Sequence, residues 1–191
     1  MTEALGISQD LKVLIGPDQI EKRVQELARQ ISGSYQGKTL HAVCVLDNAF
    51  IFMSDLVRSL EVPVVCGFVK PRFKEAASET GTHMEIFFSP EIDVRDQHVL
   101  LVECIVQSGI TAEFLMRNLS ARGAASVKLV TLLDKQVQRR VSLQPDFFGF
   151  LVEESFLVGY GLGGPQLGRN LPYIATRADE GTKGPSAGGQ E

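Results

Sequence analysis

Apolar residues recur along this chain in alternating rhythms, and the alternation predicts an architecture. After Gly16-Pro17-Asp18, the positions Ile20, Val24, Leu27, Ala28 and Ile31 fall on one helical face, predicting a helix over Ile20–Ile31. A nearly all-apolar run predicts a strand at Thr39–Leu46, followed by a helix at Ala49–Leu60 that Glu61-Val62-Pro63 closes. Further strands are predicted at Val62–Val69, Met84–Phe88, His98–Glu103 and Ser126–Leu133, with shorter ones at Phe147–Phe150 and Phe156–Val158. A helix over Ile110–Ala121 ends at Arg122-Gly123, a usual C-terminal stop. Residues Lys70–Thr82 are polar with little apolar pattern and read as a long loop, of the length that serves as a lid or stays disordered. From Ala178 the chain turns Gly-, Ser- and charge-rich, which predicts a disordered tail over 178–191.

Strands that alternate with helices and are themselves almost wholly apolar indicate an α/β fold with a parallel sheet covered on both faces. In such sheets ligands sit at the C-terminal ends of the strands, here the turns after Leu46 and after Glu103. The second turn is the more informative. From Val99 to Thr111 a strand runs into Ser108-Gly109 and directly into a helix, presenting free backbone N–H groups suited to a phosphate. The same layout also describes an ordinary strand-to-helix connection. Glu103 is acidic there, but Cys104 and Gln107 occupy the neighbouring positions.

With 191 residues the chain is expected to form one domain with a sizeable core. A formal net charge of −4 argues against a general nucleic-acid or membrane-surface binder. No apolar run reaches bilayer length, and Met1–Asp10 lacks a basic start followed by an apolar block, so a soluble, cytoplasmic protein is expected. Cys44, Cys66 and Cys104 lie in apolar runs without metal spacing and fit free thiols in a reducing compartment. His41, His83 and His98 are isolated and suggest no metal site.

Several motifs, in order and with matching spacing, carry a resemblance that spans roughly Leu11 to Ile174. They are Val13–Ile15 with its following helix, Leu46-x-x-Ala-Phe-Ile-Phe-Met-Ser-Asp-Leu-Val57, the Val102–Thr111 turn, Leu132-Leu-Asp-Lys135, Val158-Gly-Tyr-Gly-Leu162 and Arg169-Asn-Leu-Pro-Tyr-Ile174. Together they resemble hypoxanthine phosphoribosyltransferases. The resemblance implies a type I phosphoribosyltransferase fold over residues 1–177, with a twisted parallel sheet and a small hood from about 1–16 and 155–177. It also implies the family's chemistry: a purine base joined to phosphoribosyl diphosphate with release of diphosphate, magnesium as cofactor, and assembly into dimers or tetramers.

Carried across residue by residue, the resemblance gives Gln107, Ser108, Gly109, Ile110 and Thr111 as the 5′-phosphate loop. The helix dipole there is worth only about 0.3–1 kcal/mol for an anion, so hydrogen bonds must supply most of the affinity. Glu103 and Cys104 take the ribose positions; Lys135, Phe156 and Leu157 take the purine positions; Arg169, Asp47 and Asn48 take the diphosphate positions. Departures from the family pattern gather on the transfer side. Cys104 replaces the second ribose-binding acid, and Gln107 replaces the general base, a group that typically contributes ~10²–10⁴-fold. Asp47-Asn48 replaces a Lys-Gly pair, Gly163 replaces a magnesium-ligating aspartate, and Lys70-Pro-Arg-Phe-Lys74 stands where the lid's Ser-Tyr pair belongs.

Each position also has a plainer reading. Lys135 alone would be a solvated lysine among surface charges, Phe156 would be core, and Glu103 would be an exposed strand end. Cys104 is a relic or, at a helix N-terminus, a reactive thiol. Lys70, Arg72 and Lys74 form a solvated, mobile face or else restore positive charge that Asp47 spoils. The expectation is a hypoxanthine phosphoribosyltransferase-like protein that binds a purine nucleoside monophosphate or phosphoribosyl diphosphate, with transferase activity weak or lost. The alternatives are an active salvage enzyme, with magnesium, and a non-binding structural or regulatory partner of an active relative. A homodimer or homotetramer is expected in either case.

Overall fold

Pro17 opens the first helix at a position where its missing N–H is not needed, and the Gly16 amide donates to the Gln19 side chain 2.9 Å away. This helix, α1, spans Pro17–Ser34 and buries Ile20, Val24, Leu27 and Ile31 along one face. It outruns the predicted Ile20–Ile31 at both ends because its terminal turns are polar and carry no apolar signal. The computed structural model describes residues 11–75, 82–88, 92–163, 168–177 and 186–187. The predicted hood residues 1–10 lie outside that set.

Two sheets form. Strands β1 (Leu11–Ile15) and β8 (Ile174–Arg177) pair antiparallel, joining the two segments expected to build the hood. The main sheet holds β2 (Leu40–Val45), β3 (Val64–Glu75), β4 (Thr82–Phe88), β5 (His98–Val106), β6 (Ser126–Asp134), β7 (Phe147–Leu151) and β9 (Ser186–Ala187). Its order is β4-β3-β2-β5-β6-β7-β9. The five strands from β3 to β7 run parallel, and β4 and β9 close the edges antiparallel. The interior strands are apolar because both faces are covered. On one face α1 and α2 (Phe50–Ser59) pack Leu27, Phe52 and Leu56 against Leu100, Val102 and Cys104. On the other, α3 (Ile110–Ala121) packs Ala112, Leu115 and Leu119 against Val99, Leu101 and Leu129.

The fold corrects four sequence expectations. Residues Lys70–Thr82 are not one long loop: β3 continues to Glu75 and pairs with β4 from Val69↔Phe88 to Glu75↔Thr82. The charged residues Lys70, Arg72 and Lys74 alternate with Val69, Pro71 and Phe73, the period of a strand, which their overall polarity masked. The turn at 76–81 lies outside the described residues. Strand β5 runs three residues beyond Glu103, since Cys104-Ile-Val106 keep pairing with β6, and the acid is an interruption inside the strand rather than its end. Phe156–Val158 forms no strand; only Val158 bridges to Ala175, because the segment crosses to the hood sheet instead of joining the main one. Ser186 and Ala187, in the tail expected to be disordered, pair with Leu151 and Phe150. No helix among the described residues is long and apolar enough to cross a membrane.

The two faces of α3 differ enough to be tested. Leu115 is fully buried, whereas the adjacent Phe114 is 40 % exposed. Leu115→Ala is expected to cost about 2–5 kcal/mol in denaturant unfolding, and Phe114→Ala less than about 1 kcal/mol. Equal costs would show that a different face of α3 packs on the sheet.

Candidate functional site

Three parallel strands, β2, β5 and β6, end side by side, and the chain leaving β2 and β5 lines a single crevice. Behind β2 comes Leu46-Asp47-Asn48, behind β5 Gln107–Thr111, and behind β6 Lys135–Arg139. A cavity of about 290 Å³ opens there, lined by Asn48, Glu103, Gln107, Ser108, Gly109 and Thr111 together with apolar neighbours and Pro71. Gly109 adopts φ +79° and hands the chain directly into α3, whose first-turn amides have no intrahelical acceptor. The predicted phosphate loop is therefore brought together around a cavity, except that Ile110 points outward, 41 % exposed. A larger cavity, about 590 Å³, lies between α1, α2 and residues 170–172 and includes none of the predicted site residues. Volume is a poor guide here; convergent polar groups at strand C-termini are the better one.

Glu103 dominates the electrostatics. It is only 8 % exposed, one carboxylate oxygen, Oε1, is buried without a partner, and burial raises its pKa to about 8 despite the opposing pull of Arg139. It is the one titratable side chain lining the cavity among the described residues. Cys104, the next residue along the strand, necessarily faces the other side of the sheet. It is 1 % exposed in the core beneath the hood, its Sγ 3.7 Å from the Tyr160 carbonyl oxygen, and burial pushes its thiol well above the usual range. The reading of Cys104 as a reactive thiol at a helix N-terminus is thereby corrected, since it sits inside a strand, protonated and sealed. The ribose pair expected from sequence is reduced to Glu103.

On the β2 side, Lys70 Nζ sits 2.8 and 2.7 Å from the two carboxylate oxygens of Asp47. The pair is too exposed to matter for stability beyond about 1 kcal/mol, but it neutralises Asp47 locally. Lys70 is thus paired with Asp47, while both side chains stay exposed. Arg169 Nη1 donates to the Asn48 side chain at 2.7 Å and to the Gly161 carbonyl at 2.9 Å, so the predicted diphosphate residues do meet. Gly163 has φ +140°, a backbone that side-chain-bearing residues rarely adopt, so an aspartate at this position would be strained. No group of three or more His, Cys, Asp or Glu side chains that could hold a metal occurs among the described residues.

On the β6 side, Lys135 is not solvated: it is 1 % exposed, and its Nζ donates to the Glu154 carbonyl at 2.6 Å. That bond ties it to the segment carrying Phe156 and Leu157. Phe156 is half-buried, and the Arg177 guanidinium lies 4.7 Å from its ring centre, covering one face. Lys135 and Phe156 lie outside the lining of the 290 Å³ cavity and flank it through this segment. Sequence reasoning gave no role to Arg139, which ion-pairs with the buried Asp134. Its charge partner Asp134 stands only five residues earlier, but the sequence does not show that both are turned inward.

A family model for the phosphoribosyl transferase domain matches residues 16–163. The chain is 35 % identical over 163 residues to the hypoxanthine-guanine phosphoribosyltransferase of Bacillus subtilis, covering 85 % of this chain and 91 % of that protein. It is 36 % identical over 163 residues to the bifunctional protein TilS/HprT of Listeria innocua, covering 85 % of this chain and 25 % of the relative. The chain thus spans about a quarter of the length of those bifunctional relatives. Among solved structures, a hypoxanthine phosphoribosyltransferase from Staphylococcus aureus superposes with a TM-score of 0.83 at 31 % identity, over 93 % of this chain and 96 % of that one.

The buried carboxyl makes stability depend on pH in a definite direction. Glu103 titrates near 4.5 when unfolded and near 8 when folded, so the native chain holds the extra proton between those values. Stability is then lost as pH rises through that window, approaching about 1.4 kcal/mol per unit. Glu103→Gln removes this dependence, so its melting temperature relative to the unmodified chain is expected to gain steadily from pH 5 to pH 8. Parallel melting curves across that range would refute the buried, unpartnered carboxyl.

Proposed function

The chain belongs to the hypoxanthine-guanine phosphoribosyltransferase family, and from that premise we propose that it is a purine phosphoribosyltransferase of slow turnover. The reaction joins a purine base to C1′ of phosphoribosyl diphosphate; the C1′–O bond breaks as the base nitrogen bonds, diphosphate leaves with the electron pair, and the proton of the base nitrogen passes to water. The observation that carries this reading is the 290 Å³ cavity that gathers Glu103, Gln107–Gly109, Thr111 and Asn48 at the strand ends. Ser108, Gly109 and Thr111 would bind the 5′-phosphate, Glu103 the ribose hydroxyls, and Lys135 with Phe156 and the Leu157 backbone the purine. Lys70 and Arg169 bring two positive charges to the diphosphate side against the single negative charge of Asp47. Magnesium, on this reading, arrives chelated by the diphosphate as part of the substrate. The similarity to proteins named as the enzyme favours this active alternative over loss of transfer.

A second reading, a nucleotide-binding relative in which transfer is lost, draws on Gln107. Its amide lines the cavity where the family carries its general base, and it cannot accept a proton. Assembly as a homodimer or homotetramer, or with an active relative, belongs to both readings.

Turnover separates them. Hypoxanthine or guanine with phosphoribosyl diphosphate and magnesium is expected to yield monophosphate at a rate well below the ~10 s⁻¹ common for enzymes. Gln107→Asp is expected to raise that rate by roughly 10²-fold. Tight binding of inosine monophosphate without any product would establish the second reading, and silence toward every ligand would leave only a structural partner. In titration calorimetry, Lys70→Met is expected to weaken phosphoribosyl diphosphate by roughly tenfold and leave inosine monophosphate unchanged; equal effects on both ligands would take Lys70 out of the diphosphate side.

A further inference from the structure

Arg139 does not line the cavity, yet its surroundings meet the phosphate loop at two points. A Cβ on Gly109 would lie 3.0 Å from Arg139 Cδ and 2.9 Å from Val141 Cγ2, so this side-chain stem and its neighbour form the back wall of the turn. The amide N–H of Arg140 donates to the Ser108 carbonyl at 2.9 Å, tying the same segment to the loop through the backbone.

The stem is itself held from the far end. Its guanidinium ion-pairs with Asp134, which is 1 % exposed, and donates to the Leu143 carbonyl at 2.9 Å. Asp134 is fixed in turn by a 3.0 Å hydrogen bond from the Gln136 side chain, and its backbone carbonyl accepts from Val152. An anchored, planar guanidinium in a mostly dry setting is a rigid strut, unlike a solvated arginine. It also faces an unusual neighbour: Arg139 Nε and Glu103 Oε1 are both buried without partners, and the positive charge pulls the Glu103 carboxyl back toward its ionised form.

We infer that Arg139 is a positioning residue: braced on Asp134, it supports the Ser108–Gly109 turn from behind and so fixes the geometry with which the loop receives a phosphate. This rests on the reading of the cavity as a phosphoribosyl site. A positioning role should appear in the part of a ligand that the loop holds and not elsewhere. Removing the strut lets the turn relax into the vacated volume, and the loop's hydrogen bonds to an anion lose alignment.

Calorimetric titration of the full-length chain with inosine monophosphate and with inosine distinguishes the possibilities. Arg139→Gln is expected to weaken the monophosphate by at least roughly tenfold, with inosine changed less than about twofold, and Arg139→Lys to recover part of the loss. Because Arg139→Gln strands the buried Asp134 carboxylate, the paired variant Asp134→Asn with Arg139→Gln repeats the measurement without an uncompensated charge. Equal losses for both ligands, or none for either, in the paired variant would overturn the inference while leaving the proposed function intact. An unmodified chain that ignores the monophosphate would overturn the phosphoribosyl reading and this inference with it.

Discussion

Parallel pairing of β5 between β2 and β6 is the constraint on which the rest of this molecule depends. Parallel neighbours discharge their chains at the same end of the sheet, so three separate segments emerge at one end of it. The Gln107–Thr111 loop, the Asp47–Asn48 turn and the Lys135–Arg139 segment leave the sheet at the same end for that reason alone. The same pairing makes the interior of β5 dry on both faces. A glutamate in such a strand meets little water, so burial holds its proton to about pH 8 against the pull of the Arg139 guanidinium.

How much of this was legible in sequence depends on how local each feature is. The β5–Gly109–α3 junction was readable because an apolar run, a glycine and a helical face lie within a few residues, and α3 occupies Ile110–Ala121 as predicted. Glu103 was placed at a strand end because one acid interrupts an apolar run in the same way as a terminus does. Cys104 was given a place at a helix N-terminus, but strand alternation sends its side chain to the opposite face from Glu103. Lys70, Lys135 and Arg139 could not be judged from composition. Each looks like a surface cation, and what distinguishes them are partners on other strands or segments: Asp47, the Glu154 carbonyl and the Gly109 turn. The β3–β4 ribbon is a different kind of miss, since its period-two pattern was present in sequence but carried by charges instead of apolar residues.

The departures from the family pattern are not all of one physical kind, and the structure sorts them. Asp47 is offset: its charge is met by Lys70 from the adjacent strand, and Arg169 reaches the neighbouring Asn48. Cys104 is absorbed into the core, where an ionised aspartate would be a buried charge among apolar side chains. Gly163 is built into its backbone, because φ of +140° resists any residue with a Cβ. Simple reversal at 104 or 163 would therefore disturb folding as well as chemistry.

Gln107 differs from all of these. It is exposed and lines the cavity beyond the end of β5, and it differs from an aspartate by an amide in place of the carboxyl and by one extra methylene. An acid there would meet water and incur little desolvation cost, so it would stay ionised near neutral pH while Glu103, deeper in the sheet, stays largely protonated. Two carboxyls in one cavity with opposite protonation states are the arrangement from which a proton acceptor and a hydrogen-bonding partner for ribose can both be drawn. The present chain keeps the deep, protonated member and lacks the shallow, ionised one. That asymmetry, more than the number of altered motifs, is the feature of this chain on which the proposed slow transfer rests.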